Sequence, residues 1–255
     1  MKKFRIHKID YSLYMIPLLV FSCSLLALVG YTFSAKIISF DEASNKASND
    51  TKNIMNFDDS KNIISNSLDS VRDNQGTSYY YKGDARNNYI LLQGLLFRIV
   101  RINGDGSLRI ILNEDVLQSE FNSDYYSESD AKKVLDEWFT TNIGKQSYIV
   151  KGEFDIHSYE EYNFESLEFY SPYFDYVGLL SVREMNLIQG DLDTTYLDSI
   201  NGMYLSNGTE DAVWYYKSGK IGKSDIHNRL SLRPVINIQV DHLDGLGTID
   251  YPYTF

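Results

Sequence analysis

The chain has 255 residues, enough for one or two domains, and 43% of them are hydrophobic, which suffices for a buried core. Its formal net charge of -11 understates how acidic the body is, because Lys2, Lys3, Arg5 and Lys8 crowd the first ten residues; such a body argues against nucleic acid as a partner, which is held through clustered Lys and Arg. Cys23 is the sole cysteine, so an intrachain disulfide and the cysteine-rich zinc sites are excluded.

Residues 1–10 read as a basic tail. From Tyr11 through Phe33 no side chain is charged. Roughly 20 apolar residues cross a bilayer core about 30 Å thick as a helix, so residues 11–34 are expected to form a transmembrane signal anchor in the lipid bilayer. With the basic residues all before it, the N-terminus is expected in the cytoplasm and the remainder outside, in a single pass. The alternative is a cleaved signal peptide, whose apolar run is typically shorter, about 7–15 residues, and ends at a small-residue site. Residues 35–77 are rich in Asn, Ser, Asp and Lys and read as a flexible stalk, with a weak helix expected near Asp58–Val71. The Asn49 and Asn207 sequons carry meaning only in a host that glycosylates secreted Asn.

The stretch Tyr79–Asn113 organises the domain beyond the stalk. Three short strands are expected: apolar-rich Asn88–Gln93, ending at Gly94; Leu95–Ile102, which alternates in its second half; and Ser107–Asn113, after a turn Asn103-Gly104-Asp105-Gly106 that tolerates positive φ. Phe97, Ile99 and Ile102 are expected on a core face, with Arg98 and Arg101 opposite. Ala131, Val134, Leu135, Trp138 and Phe139 mark one stripe of a helix over Ser129–Gly144. Lys151–Tyr173 has no steady period and reads as an irregular excursion, with a strand over Phe174–Leu180 after it. Ser181 with Glu184 is a capping box opening a short helix to Gln189. Asp191–Gly208 reads as loop, Ala212–Ile221 as a hairpin, and Leu230–Val240 as a strand that Pro234 places at an edge or bulge. A Gly/Asp turn and an aromatic strand close the chain. Short antiparallel strands, two short helices and long loops predict an α+β domain over 78–255.

Several pieces in this order resemble a family of bacterial surface domains of unknown function. They are Tyr80-Tyr81-Lys82-Gly83 with Asn87-Asn88-Tyr89, the run Phe97–Arg109, Val177-Gly178-Leu179-Leu180 with Glu184, Leu232-Arg233-Pro234-Val235-Ile236, and Gly247-Thr248 with Pro252-Tyr253. Members of that family have C-type-lectin-like folds related in shape to formylglycine-generating enzymes, and commonly carry Trp where Phe97 stands. The resemblance covers roughly residues 78–255 and implies a secreted or membrane-anchored module for recognition and display on a bacterial cell surface.

Few residues qualify as candidate sites. Glu-Pro-Asn, Gln-Pro-Asp and Trp-Asn-Asp, the tripeptides that hold calcium and sugar in C-type lectins, do not occur. No cofactor is expected, and calcium is the one ion with candidate ligands, at Asp241 and Asp244. At Asn103 and Asp105 the hairpin turn is the better reading. Formylglycine chemistry needs paired cysteines, and His7, His157, His227 and His242 form no close pair, so no catalytic residue is assigned. The 21 tyrosines give rigid contact area with a polar tip. Tyr170, Tyr173, Tyr215 and Tyr216 are the ligand-binding candidates, in loops over 145–176 and 191–229. Phe97, Arg98, Arg101, Asp105, Gly106, Trp138, Glu184, Arg233 and Pro234 are read as structural, with Arg233 expected to pair with Glu184. The expected function is non-catalytic recognition of an extracellular protein or glycan. The alternatives are an extracytoplasmic enzyme acting on cell-wall glycans, for which two carboxylates about 5–10 Å apart in a cleft would speak, and a scaffold subunit of an envelope complex.

Overall fold

The computed structural model describes residues 56–58, 63–64, 68–73, 76–157, 172–190, 194–197, 201–209 and 211–255. They lie within one unit, Met55–Phe255. In chain order the strands begin with β1 (Asn56–Asp58), β2 (Ile63–Ile64), β3 (Leu68–Asp73), β4 (Gly76–Tyr81), β5 (Tyr89–Leu92), β6 (Leu95–Ile102), β7 (Leu108–Leu112) and β8 (Leu117–Ser119). Helix α1 (Asp130–Asn142) comes next, then β9 (Ile149–Val150), β10 (Gly152–Asp155), β11 (Pro172–Asp175), β12 (Val177–Gly178) and helix α2 (Val182–Ile188). The chain finishes with β13 (Met203–Gly208), β14 (Ala212–Lys217), β15 (Lys220–Asp225), β16 (Leu230–Leu232) and β17 (Val235–Ile238).

An eight-stranded sheet with the path β12-β17-β7-β6-β4-β3 forms the centre, with β5 also on β6 and β9 also on β17. The β6–β7 hairpin is its spine. Ile99 pairs with Ile110 and Arg101 with Arg109, which leaves Val100 as an extra residue in β6. That bulge explains the sequence pattern: Phe97 and Ile99 are two apart but Ile102 is three further on, and one inserted residue returns it to the same core face. On this face Phe97, Ile99, Ile110, Leu112, Ile236 and Ile238 pack under α1 with Leu135, Trp138 and Phe139. Phe97 meets Trp138 edge to face, ring centroids 6.5 Å apart.

The opposite face is also buried. Val100, Ile111 and Val235 pack there with Val182, Met185 and Ile188 of α2 and with Met203, Leu205 and Tyr216. The last three belong to a second sheet of order β15-β14-β13-β16-β8. Pro234 marks the passage between sheets: Leu230–Leu232 pairs with β8 in the second sheet and Val235–Ile238 with β7 in the first. Its missing N–H fits that break, and its carbonyl accepts from the Leu112 N–H at 2.9 Å. The chain's end is tied back to β5, as the Leu91 N–H donates to Tyr253 O at 2.8 Å and the Tyr253 N–H to Tyr89 O at 2.8 Å.

Both helix caps form as their residues predict. Ser129 accepts from the Lys132 N–H, and Ser181 with Glu184 forms a full capping box. Elsewhere the structure corrects the expectations. Among the described residues strand makes up 43% and helix 14%, so the class is mainly β rather than α+β. Leu68–Asp73, expected within a spacer and near a weak helix, is a strand paired with β4. Lys151–Tyr173 contains β10, paired with β11, and the expected loop before Gly208 contains β13. Among the described residues no helix is long and apolar enough to cross a membrane. The transmembrane, single-pass, N-terminus-cytoplasmic placement is therefore supported by no described helix, and the expected anchor at 11–34 lies outside the described residues.

Candidate functional site

The arginines of β6 and β7 do not reach solvent. Arg98, Arg101, Arg109, Arg233 and Glu184 are all buried. Glu184 divides its carboxylate between two tasks. Oε2 accepts from the Ser181 N–H at 3.1 Å, completing the cap, while Oε1 lies 3.0 Å from Arg109 Nε and 3.8 Å from Arg101 Nη1. Arg101 also donates to the Tyr80 hydroxyl at 2.8 Å and to Asn103 Oδ1. Arg109 donates to Glu153 O at 2.8 Å, with its guanidinium 4.4 Å from the Phe154 ring centroid. Burial pushes Arg109 down, and Glu184 opposes that shift.

The expected Arg233–Glu184 pair is therefore replaced. Arg233 donates to the Leu112 and Asn113 carbonyls and lies 3.7 Å from Asp115, so it clamps the end of β7 instead. Arg98 reaches Asn88 Oδ1 and the Ala85 carbonyl and sits 3.8 Å from the Tyr89 ring centroid. At the β6–β7 turn Asp105 accepts from the Ser107 N–H and hydroxyl, and Gly106 has φ +83°. These partners make this constellation a structural one.

The candidate ligand tyrosines do not converge. Tyr216 is fully buried, its hydroxyl accepting from the Gly219 N–H, so it is no contact surface. Tyr215 lies along Gly222 and Gly202 in the second sheet. Tyr173 donates to Asp175 and stacks edge-on against Tyr126. Tyr170 lies outside the described residues. Asp241 and Asp244 are exposed, and His242 Nε2 is 3.2 Å from Asp244 Oδ1. No group of three or more His, Cys, Asp or Glu suited to a metal occurs among the described residues, so calcium gains no built site there. In the second sequon Asn207 is buried and donates to the Asp155 and His157 carbonyls, which makes it a strut.

A cleft of about 640 Å³ opens between the C-terminal half of α1 and the Asp175–Val177 segment. Asp136, Phe139 and Thr140 line it from α1; Gly144, Lys145, Lys151, Asp175, Tyr176 and Val177 complete it. Lys132 lies beneath its two carboxylates. The ammonium is buried and bonds both Asp175, at 2.8 Å, and Asp136. Two acceptors on one ammonium lie within about two hydrogen-bond lengths of each other, roughly 5–6 Å. Burial pushes Asp175 up, but bonds from Lys132, the Tyr176 N–H and the Tyr173 hydroxyl outweigh it and hold the carboxyl below its ordinary range. Tyr176 stacks on Phe139 with ring centroids 6.0 Å apart, and Lys145 and Lys151 reach over its ring.

Of the expected loops over 145–176 and 191–229, the first supplies Lys145, Lys151, Asp175 and Tyr176 to this cleft and the second supplies none. The cleft itself was not legible in the sequence. Lys132 and Asp136 are readable as an i,i+4 pair on α1, but nothing local ties them to Asp175, which β11 brings in. No family model matches the chain, and neither a curated protein nor a solved structure does so.

Proposed function

We propose that this domain is a non-catalytic recognition module that takes a polyhydroxylated, glycan-type ligand in the α1 cleft. One observation carries the reading: an aromatic ring backed by Phe139 stands beside two carboxylates that Lys132 holds in place. Cleft volume fits, since small-molecule sites typically measure about 300–1,000 Å³ and this one is about 640 Å³. Fixed carboxylates accept from hydroxyls, exposed ammoniums donate, and Tyr176 offers an apolar edge. The resemblance to C-type-lectin-like domains points the same way, without the calcium motifs.

The glycosidase alternative has its pair of carboxylates at a suitable spacing but the wrong electrostatics. A general acid for glycoside cleavage needs a raised pKa. Asp175 is shifted the other way, and a buried ammonium sits between the two acids.

The test is a glycan array and calorimetry on the full chain, beside Tyr176→Ala and Asp175→Asn. The expected result is saturable binding, weakened roughly tenfold or more in either variant, about the contribution of one charge-assisted hydrogen bond or stacked ring. Recovery of cleaved ligand would replace recognition with hydrolysis, and an array with no bound glycan would sink the reading.

An assembly role is the second reading, favoured by the exposed Leu246, Ile249 and Tyr251 on one loop near the C-terminus. Oligomers seen in sedimentation velocity and dispersed by Leu246→Ser/Ile249→Ser would support it.

A further inference from the structure

We infer that the ligand carries an anionic group, a carboxylate or an acid ester such as sulfate or phosphate, held between Lys145 and Lys151. This inference rests on the glycan reading and narrows it to acidic sugars. The whole chain is acidic, with Asp and Glu outnumbering Lys and Arg by 35 to 24. The cleft reverses that balance. Lys145 and Lys151 line it against Asp136 and Asp175, and the buried Lys132 beneath it adds a third positive charge.

Moreover, the negative charges are already committed. Lys132 bridges both carboxylates and neutralises half of their charge from below. Lys145 and Lys151 have no such commitment: neither joins an ion pair among the described residues, and both ammoniums are directed at one aromatic ring, 4.9 and 5.5 Å from the Tyr176 centroid. They come from opposite sides of β9. Lys145 follows the Gly144 turn that ends α1, where φ is +67°, and Lys151 precedes β10. Gly144 lines the cleft beside Lys145 with no side chain to fill the gap.

Each ammonium has three donors and no acceptor. The Tyr176 face attracts a cation only weakly at an exposed site, so these donors remain available to an anion placed above the ring. An anion there gains from both lysines, while the acidic remainder of the molecule repels it elsewhere. Hydroxyls on the same ligand would face Asp136 and Asp175, so the two ends of the cleft read two different chemistries.

A matched pair of probes isolates the charge: a hexuronic-acid oligosaccharide and its methyl ester, run with sulfated, phosphorylated and neutral oligosaccharides against the full chain. The expected outcome is that acidic sugars bind roughly tenfold or more tighter than neutral partners, as one charge-assisted hydrogen bond allows. That preference should shrink with added salt and vanish in Lys145→Gln/Lys151→Gln, whose exposed sites leave folding intact. Equal binding of acid and ester, or a preference that survives the double variant, overturns the anionic assignment while leaving glycan recognition standing. Binding of neither acidic nor neutral sugars overturns both.

Discussion

Glu184 shows how much one carboxylate holds together. Its Oε2 caps α2 and its Oε1 faces two guanidiniums, and all three side chains are nearly sealed from solvent. Replacing Ser181 by Ala removes a capping hydroxyl and is expected to cost about 1 kcal/mol. Glu184→Gln takes away the charge that Arg101 and Arg109 face, and stranding buried charge costs about 3–5 kcal/mol. Urea midpoints for the two variants, with unchanged slopes, check the contrast; equal losses would mean that the cap alone matters. The sequence displayed Glu184 as the last residue of a Ser-x-x-Glu capping box and the arginines as polar positions within the hairpin strands. It did not show that they meet, because the sheet face carrying Arg101 and Arg109 looks exposed until α2 is laid on it.

Elements with strong local signals formed where the alternation and caps placed them. The β6–β7 hairpin, α1 and α2 all depend on neighbouring residues: apolar spacing, a turn rich in Asn and Gly, and Ser at the cap. Weakly patterned elements did not announce themselves. Leu68–Asp73 alternates poorly and is half exposed, so it becomes a strand only by pairing with β4. Packing between elements also depends on single positions. At the end of α2 a Cβ on Gly190 would stand 2.6 Å from the Gly83 Cα, and the Gly83 N–H donates to the Ile188 carbonyl at 2.9 Å. No side chain can rotate to relieve a clash with backbone. Gly190→Ala is therefore expected to destabilise by about 1–3 kcal/mol, as overpacking does. Thermal unfolding of that variant would refute this close approach if its midpoint matched the parent's.

Across the whole molecule, buried tyrosines set the alkaline limit. Burial raises the hydroxyls of Tyr80, Tyr126, Tyr196 and Tyr204, the last to about 12. Raised values mean that the fold holds these protons more tightly than the unfolded chain. The stability they contribute is thus complete below the ordinary value of about 10 and is lost as pH climbs through the folded values. Denaturant midpoints should fall steeply between about pH 10 and 12, and tyrosinate absorbance should appear together with unfolding. Full ionisation in a molecule that stays folded would contradict this burial. At this scale too the class is mainly β, because β3, β10 and β13 occupy stretches that looked like spacer or loop.

Local features can be read from the chain alone: the hairpin and its turn, both helices with their caps, and the apolar stripe of α1. Backbone sterics, capping and side-chain period act over a few residues, so they can be read without the fold. Tertiary structure decided the rest. Pro234 became the passage between two sheets, Arg233 went to the β7 carbonyls rather than to Glu184, and Tyr216 went into the core. The cleft likewise joins Lys132 and Asp136 of α1 to Asp175, which β11 delivers from nearly forty residues away. Charges interact across a few ångströms of space whatever their separation in the chain, so only the packed sheets and helices could choose their partners.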